Sequence, residues 1–198
     1  LMSDIEKYAH NDTAYFPELL KIALIHYQFE TVHPFLDGNG RVGRLFITLY
    51  LVSKGILKQP ILYLSDFFEK NRGNYYDNLM RVREKNDISR WFKFFLVGVI
   101  ETAKKGIFTF DQILQLQKDS EFKINKLGSR AANAQKVLNH LYQSPVVNSS
   151  IIGDITGLSV ASAYKLAHDM EYLGIIREVT GAQRGKLYLF DNYINLFK

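Results

Sequence analysis

A stretch of twelve residues, His33–Arg44, carries the side chains of this chain that are best suited to chemistry. It reads His-Pro-Phe-Leu-Asp-Gly-Asn-Gly-Arg-Val-Gly-Arg. A histidine can act as a general base near neutral pH, and His33 opens the stretch. Asp37 supplies a hard carboxylate oxygen of the kind that Mg²⁺ uses together with phosphate oxygens. A base and a metal-type carboxylate therefore lie within one short segment.

The other polar and small residues of the stretch suit an anion. Gly38 and Gly40 permit positive φ, so backbone amides there can turn toward a phosphate. Asn39 between them tolerates unusual backbone angles and can donate from its side-chain amide. Arg41 and Arg44 offer planar guanidinium groups that match phosphate oxygens. The stretch therefore predicts a polyphosphate cradle with one metal and one base, suited to attack of a hydroxyl on phosphorus.

Each of these residues also has a structural interpretation. A histidine that follows a helix is commonly structural, residues 37–40 could form only a turn, and the two arginines could lie on a solvated helix face. Their occurrence together favours catalysis. The remaining histidines have no partners at ligand spacing, so we assign them no metal role; they are His10, His26, His140 and His168.

Two apolar helices are predicted to position the stretch. The run Leu19–Phe29 is apolar on most of its faces, which predicts a buried central helix that leads into His33. Because the residue before a proline avoids the αR region, the helix should end there. The next helix is predicted from residue 39 or 40 to about residue 54. Arg41 and Arg44 would then share one face of its first turn.

Further helices are predicted along the next part of the chain. They cover residues 67–70, a segment from 71 to about 84, an aromatic run at 91–100, and residues 110–122. Residues 118–130 are polar and charged, so we place a domain boundary there. The fold class expected for the whole chain is mainly α.

The pattern changes after this boundary. Helices are predicted over residues 131–142, 149–155 and 160–173, and strands over 175–180 and 186–190, joined as a hairpin. Three helices followed by a β-hairpin predict a small winged helix-turn-helix.

The stretch His33–Arg44 resembles the signature of the Fic family of protein AMP-transferases. That signature is His-Pro-Phe, any residue, Asp or Glu, Gly-Asn-Gly-Arg, two residues, Arg, and every specified position is present. The resemblance implies a Fic-type helical bundle over about residues 1–125, followed by the winged helix-turn-helix at 126–198. The inhibitory helix and the target-aligning flap of that family find no match here, and we expect them outside the given residues.

The resemblance also implies an activity and a role for each site residue. His33 would deprotonate a Ser, Thr or Tyr hydroxyl of a target protein, or of the protein itself, for attack on the α-phosphorus of ATP. Asp37 would hold the cofactor Mg²⁺, and Phe35 would anchor the loop in the core. Arg41 and Arg44 would bind the β- and γ-phosphates, with residues 38–40 as anion hole. The ATP-binding set implied in this way is Asp37, Gly38, Asn39, Gly40, Arg41, Val42, Gly43, Arg44, Tyr75 and Tyr76.

Some assignments stay open at this point. Tyr75 and Tyr76 would lie near the base and sugar, but core packing explains them equally well. Arg83 on the same helix is a weaker candidate. The winged helix could bind DNA, or it could serve protein docking, dimerisation or target choice. Its cations are few and diluted by acidic residues; they are Lys165, Arg177, Arg184 and Lys186.

Two alternative functions compete with AMP transfer. One is a nucleotide-sensing transcriptional regulator that binds DNA through the winged helix. The other keeps the chemistry but transfers a phosphate or another nucleotide. The kinase-like relatives alter the Gly-Asn-Gly segment, which is intact at residues 38–40, so AMP transfer from ATP is favoured.

Composition narrows the class of protein only broadly. The chain has 198 residues and no cysteine, which excludes disulfides and cysteine-based zinc sites. Its net charge of +5 mildly favours anionic partners such as nucleotides. No run of eighteen apolar residues predicts a membrane span. We therefore expect a cytoplasmic protein without a membrane partner.

Overall fold

The computed structural model describes residues 1–11 and 16–197. The chain divides into two compact units, Leu1–Ile107 and Phe108–Lys198. Helices dominate both. The helices that begin in the first unit are α1 (Met2–His10), α2 (Glu18–Val32), α3 (Asn39–Ser53), α4 (Ser65–Lys70), α5 (Arg72–Lys85) and α6 (Ile88–Asn125).

The first unit is built around α2, as its all-round apolar sequence predicts. Ile22, Ala23 and Ile25 are almost completely buried, and they belong to one core with residues of the helices around them. The indole N–H of Trp91 in α6 donates to the backbone carbonyl of Ala23 at 2.9 Å. The prediction of α2 and α3 on either side of residues 33–38 is confirmed.

The two helices predicted at residues 91–100 and 110–122 are a single helix, α6, of 38 residues. The prediction of two helices was wrong because residues 101–109, which are mostly exposed, continue the helix between the two apolar runs. Gly98 within this helix is a packing site. A Cβ at residue 98 would lie 2.6 Å from the Phe67 ring. Within the described ranges no helix, α6 included, has the length and apolarity needed to cross a membrane.

The boundary between the two units falls inside α6, earlier than the polar segment 118–130. The physical reason is that the late turns of α6 already belong to the second core. Ile124 is completely buried there, and Leu116 packs against the same cluster.

The second unit has its own core, formed by residues from all of its major elements. Asn148 caps one helix by accepting a hydrogen bond from the Ile151 N–H at 2.9 Å. The helices and strands are α7 (Ala131–Leu141), β1 (Val146–Val147), α8 (Ser149–Thr156), α9 (Val160–Tyr172), β2 (Arg177–Glu178), β3 (Tyr188–Leu189) and α10 (Asp191–Asn195), after a 3₁₀ turn at Gly128–Arg130.

The predicted hairpin is present but shorter than expected. The strands form an antiparallel sheet in the order β1-β3-β2, with Leu189 opposite both Val146 and Arg177. Strand β2 ends early because the Glu178 carboxylate accepts from the N–H groups of Thr180 and Gly181 and closes a turn. Strand β1 and helix α10 were not predicted, since both are too short to show a period.

The packing of α6 predicts opposite effects for two alanine substitutions in one helix. Gly98→Ala drives a Cβ into the buried Phe67 ring and should lower the free energy of unfolding by about 1 to 2 kcal/mol, after the gain in helix propensity. Gly106→Ala has no atom within 4 Å of its new Cβ and should raise it by up to about 1 kcal/mol. Urea unfolding of both variants measures the difference. Equal effects at the two sites would contradict the packing.

Candidate active site

A cleft of about 290 Å³ lies at the start of α3, within the first unit. One wall comes from the stretch His33–Arg44, and the other from α4 and α5. The lining residues are His33, Leu36, Asp37, Gly38, Asn39, Gly40, Arg41 and Arg44 on the first wall, and Phe68, Glu69, Arg72, Tyr75 and Tyr76 on the second.

His33 is the C-cap residue of α2; it is exposed and lines the cleft. Its backbone is left-handed, with φ 49° and ψ 59°, while its N–H still donates to the Phe29 carbonyl at 3.0 Å. Of the described residues other than glycine, only His33 and Asn86 have a positive φ. Such backbone conformations are uncommon and recur at functional sites. The left-handed backbone at His33 therefore ends the α-helix at this residue.

The loop between α2 and α3 is held by Asn39 rather than by Phe35. The Asn39 side chain is buried; its Oδ1 accepts from the Phe35 N–H at 2.8 Å, and its Nδ2 donates to the Phe35 carbonyl at 2.5 Å. Phe35 was expected to anchor the loop in the core, but its side chain is 49% exposed. It contacts Phe29 and lines an apolar cavity of about 650 Å³ beside α1 and α3. The Asn39 side-chain amide thus fixes the shape of the loop through both of its hydrogen bonds to Phe35.

The N-terminus of α3 offers backbone donors to the cleft. Gly38 is the N-cap with φ 84°, and the first helical hydrogen bond runs from the Val42 N–H to the Gly38 carbonyl at 3.0 Å. The N–H groups of residues 39–41 precede that bond, and the first turn of α3 contains no acidic residue. Free N–H groups and the helix dipole favour an anion at this end.

The charged side chains of the cleft are largely exposed. Asp37 is 94% and Arg41 78% exposed, and their closest atoms, Oδ2 and Nη2, lie 3.4 Å apart. An exposed pair of this kind contributes little to stability. Arg44 is half-buried, and its Nε donates to Ser65 Oγ in α4 at 3.2 Å. Arg44 folds back over Gly40, where a Cβ would lie 3.0 Å from its Nη1.

Two residues of the implied ATP-binding set do not line the cleft. Val42 faces the apolar cavity on the other side of the loop. Gly43 is buried against α2, where an added Cβ would lie 2.5 Å from Glu30 Oε1 and 3.1 Å from the Phe29 ring. The helical period explains both positions, because only residues 40, 41 and 44 of this turn face the cleft. Gly43 therefore serves the contact between α2 and α3.

The two tyrosines have different environments. Tyr75 is 3% exposed and packs against Phe68, whereas Tyr76 is 52% exposed. Arg83 does not line the cleft. Three other residues of the second wall were missed by the sequence reasoning. Arg72 had a usable signal, because it lies three and four residues before the tyrosines on α5; Phe68 and Glu69 had none.

A buried histidine joins the two walls of the cleft. His26 is completely buried, with Nδ1 3.1 Å from the Gly43 carbonyl and Nε2 2.9 Å from the Tyr75 hydroxyl. Because a carbonyl can only accept, Nδ1 carries the proton and Nε2 accepts from Tyr75. Burial lowers the pKa of His26 to about 4 and raises the pKa of Tyr75. The ring lies parallel to those of Phe68 and Trp91 and is neutral at pH 7.

The donor set of the cleft suits a metal ion that arrives with a phosphate ligand. Within residues 1–11 and 16–197, no group of three or more His, Cys, Asp or Glu side chains is arranged to hold a metal by itself. Asp37 is a single exposed carboxylate beside the α3 amides. Mg²⁺ commonly takes one or two carboxylates together with substrate phosphates and water, and Asp37 fits that mode.

Comparisons with known proteins found a matching family model and related proteins. Residues 1–51 match the family model described as Fic/DOC family, which covers about a quarter of the chain and includes His33–Arg44. A probable protein adenylyltransferase of Aquifex aeolicus is 29% identical over 111 residues, or 52% of this chain and 32% of that protein. Protein adenylyltransferase Fic of Aedes aegypti is 32% identical over 95 residues, or 48% of this chain and 18% of that protein.

A solved structure extends the comparison to the fold. A Fic family protein from Desulfovibrio desulfuricans G20 superposes with a TM-score of 0.50 at 21% identity, covering 96% of this chain and 53% of that one. A likeness at this identity concerns the fold alone. The chain spans about a third or less of the curated relatives it matches. Together the matches support a Fic-domain protein.

The neutral state of His26 predicts a loss of stability in acid. Its pKa is about 4 when folded and near 6.5 when unfolded, so the unfolded chain binds more protons between these values. The free energy of unfolding should therefore fall by about 3 kcal/mol from this residue alone as the pH drops from 7 to 4. Urea unfolding of the wild type and of His26→Gln between pH 7 and pH 4 isolates the contribution of His26. Parallel pH curves for the two proteins would contradict it.

Proposed function

We propose that this chain is the catalytic part of a protein adenylyltransferase, which transfers AMP from ATP to a Ser, Thr or Tyr hydroxyl of a protein. One observation carries the proposal. His33, Asp37, the free amides of α3 and the Arg44 guanidinium all line one cleft. The names of the related proteins, which are protein adenylyltransferases, support the same reaction.

In the proposed reaction, His33 takes the proton from the attacking hydroxyl. The hydroxyl oxygen forms a bond to the α-phosphorus of ATP, and the bond from that phosphorus to the bridging oxygen breaks. Pyrophosphate leaves with the electron pair, and AMP remains on the target. The left-handed backbone of His33 supports this role, since it turns the imidazole toward the cleft and away from the helix that carries it.

Other groups of the cleft stabilise the charge of the transition state. The N–H groups of residues 39–41 would donate to phosphate oxygens, and they need not reorganise because Asn39 holds the loop. Arg44 and Arg41 would bind the β- and γ-phosphates. Arg41 would give up its weak ion pair with Asp37 in order to do so. Tyr76, exposed on the opposite wall, would pack against the nucleoside.

Magnesium is the cofactor that the site would take. When bound, Mg²⁺ would neutralise phosphate charge and favour departure of pyrophosphate. Asp37 is the residue that would hold it, because its carboxylate is exposed in the cleft beside the phosphate-binding amides. When Arg41 binds phosphate instead of Asp37, the Asp37 carboxylate would become available to bind Mg²⁺.

Replacement of His33 tests the reaction class. Incubation of the protein with a candidate target, Mg²⁺ and ATP labelled at the α-phosphate should transfer label to protein, which mass spectrometry identifies as AMP. His33→Ala should slow the transfer by about 10² to 10⁴-fold through loss of the general base. His140→Ala, in the second unit, is the matched histidine control and should transfer normally. Undiminished labelling by His33→Ala would refute the assigned base.

We further propose that the second unit is a winged helix-turn-helix that selects the target protein or mediates self-association. The order of its elements supports this assignment, with α7, α8 and α9 followed by the β2–β3 hairpin. Helix α9 would be the recognition helix. The loop after β2 is tied to it, because the Gly185 N–H donates to the Tyr164 hydroxyl at 3.3 Å.

DNA binding by the second unit is the alternative function. The few positive charges of this unit argue against tight binding to DNA. Arg177, one of the four cations named above, pairs with Asp191, and the additional cation Arg130 pairs with Asp169. Anisotropy titration of the full chain with duplex DNA at low salt tests the alternative. Binding that weakens with salt and with Lys165→Glu would support it, and no binding would remove it.

A further inference from the structure

A half-buried glutamate, Glu30, has one buried carboxylate oxygen and no role in the reaction proposed above. Glu30 is in α2, one turn before His33. Its Oε1 is buried and finds no hydrogen-bond partner among the residues that the structure describes. Burying an unpaired carboxylate oxygen is costly, so a group that keeps such a position has a charged neighbour or a function.

Two glycines of α3 show what lies near this carboxylate. The position of a Cβ at Gly43 is 2.5 Å from Glu30 Oε1, and the position of a Cβ at Gly40 is 3.0 Å from Arg44 Nη1. Gly40 and Gly43 are three residues apart, so they are neighbours on one face of the helix. A negative and a positive side chain therefore lie over successive small residues of the same face.

The electrostatics of Glu30 point to the same neighbour. Burial raises the pKa of Glu30, and the positive charge of Arg44 opposes this rise more strongly than His33 does. In a partly desolvated site, the attraction between opposite charges is only weakly screened. The carboxylate thus has its principal electrostatic partner in Arg44.

We propose that Glu30 is a positioning residue that holds the Arg44 guanidinium over Gly40, facing the phosphate end of the cleft. Ser65 fixes the Nε side of the same group from α4. Arg44 is therefore held from two sides, one neutral and one charged. This role rests on the proposed function, since it assigns Arg44 to phosphate, but the position of the guanidinium can be tested without nucleotide.

The first experiment follows Arg44 in the free protein. In ¹⁵N-labelled protein, the Arg44 Nε–H resonance is assigned by its loss in Arg44→Lys. Glu30→Gln keeps the shape and removes the charge, so the resonance should shift and broaden, while Glu101→Gln on the exposed face of α6 should leave it unchanged. The melting temperature of Glu30→Gln should not fall, since a desolvated charge has been removed. An unchanged resonance would overturn the proposal.

The second experiment measures binding of an ATP analogue that cannot be cleaved between the α- and β-phosphates. Glu30→Gln should weaken its affinity about tenfold and leave adenosine affinity unchanged, and it should have no further effect in an Arg44→Gln background. Equal loss for both ligands, or additive effects of the two substitutions, would indicate a general structural role and overturn the proposal. If Glu30→Gln changes the Arg44 resonance but the wild type neither binds ATP nor transfers AMP, the proposed function fails and the positioning of Arg44 stands.

Discussion

The close approach of α2 and α3 at Gly43 is the constraint on which the first unit depends. His26, Phe29 and Glu30 of α2 all reach the α3 backbone at this residue, where any side chain would displace them. Since His33 caps the end of α2 and Gly38 caps the start of α3, this contact sets the distance between the proposed base and the amides proposed to bind phosphate. The geometry of the cleft is therefore decided one turn below it, by a residue that does not line it.

His26 extends this constraint to the opposite wall. Its two ring nitrogens bind α3 through Gly43 and α5 through Tyr75, and the flat ring packs between Phe68 of α4 and Trp91 of α6. A side chain that must satisfy two partners in a dry interior permits very few arrangements of the helices around it. The neutral ring does this without a buried charge, at the expense of stability in acid.

The sequence alone predicted the residues that form one wall of the cleft, but it missed most residues of the other wall. The turn at His33, the glycines and both arginines follow from local chemistry, because Pro34 and the helix start determine where they lie. Phe68, Glu69 and Arg72 reach the cleft only through tertiary packing, which no local pattern encodes. The same limit explains one error. Phe35 was expected in the core because the position of the loop-holding Asn39 side chain could not be predicted from the sequence.

The contrast between buried and exposed polar side chains in the cleft suits the highly charged ligand proposed for it. The backbone donors are fixed by the buried Asn39, whereas Asp37 and Arg41 are almost fully exposed and joined only by a weak ion pair. This ion pair costs little to separate, so Arg41 could bind the phosphate chain while Asp37 binds the metal ion. In the proposed reaction, the fixed amides would keep the geometry, and the loosely paired side chains would supply charge to the phosphates and the metal. Arg44, whose Nε donates to Ser65 Oγ, is held more firmly than Arg41.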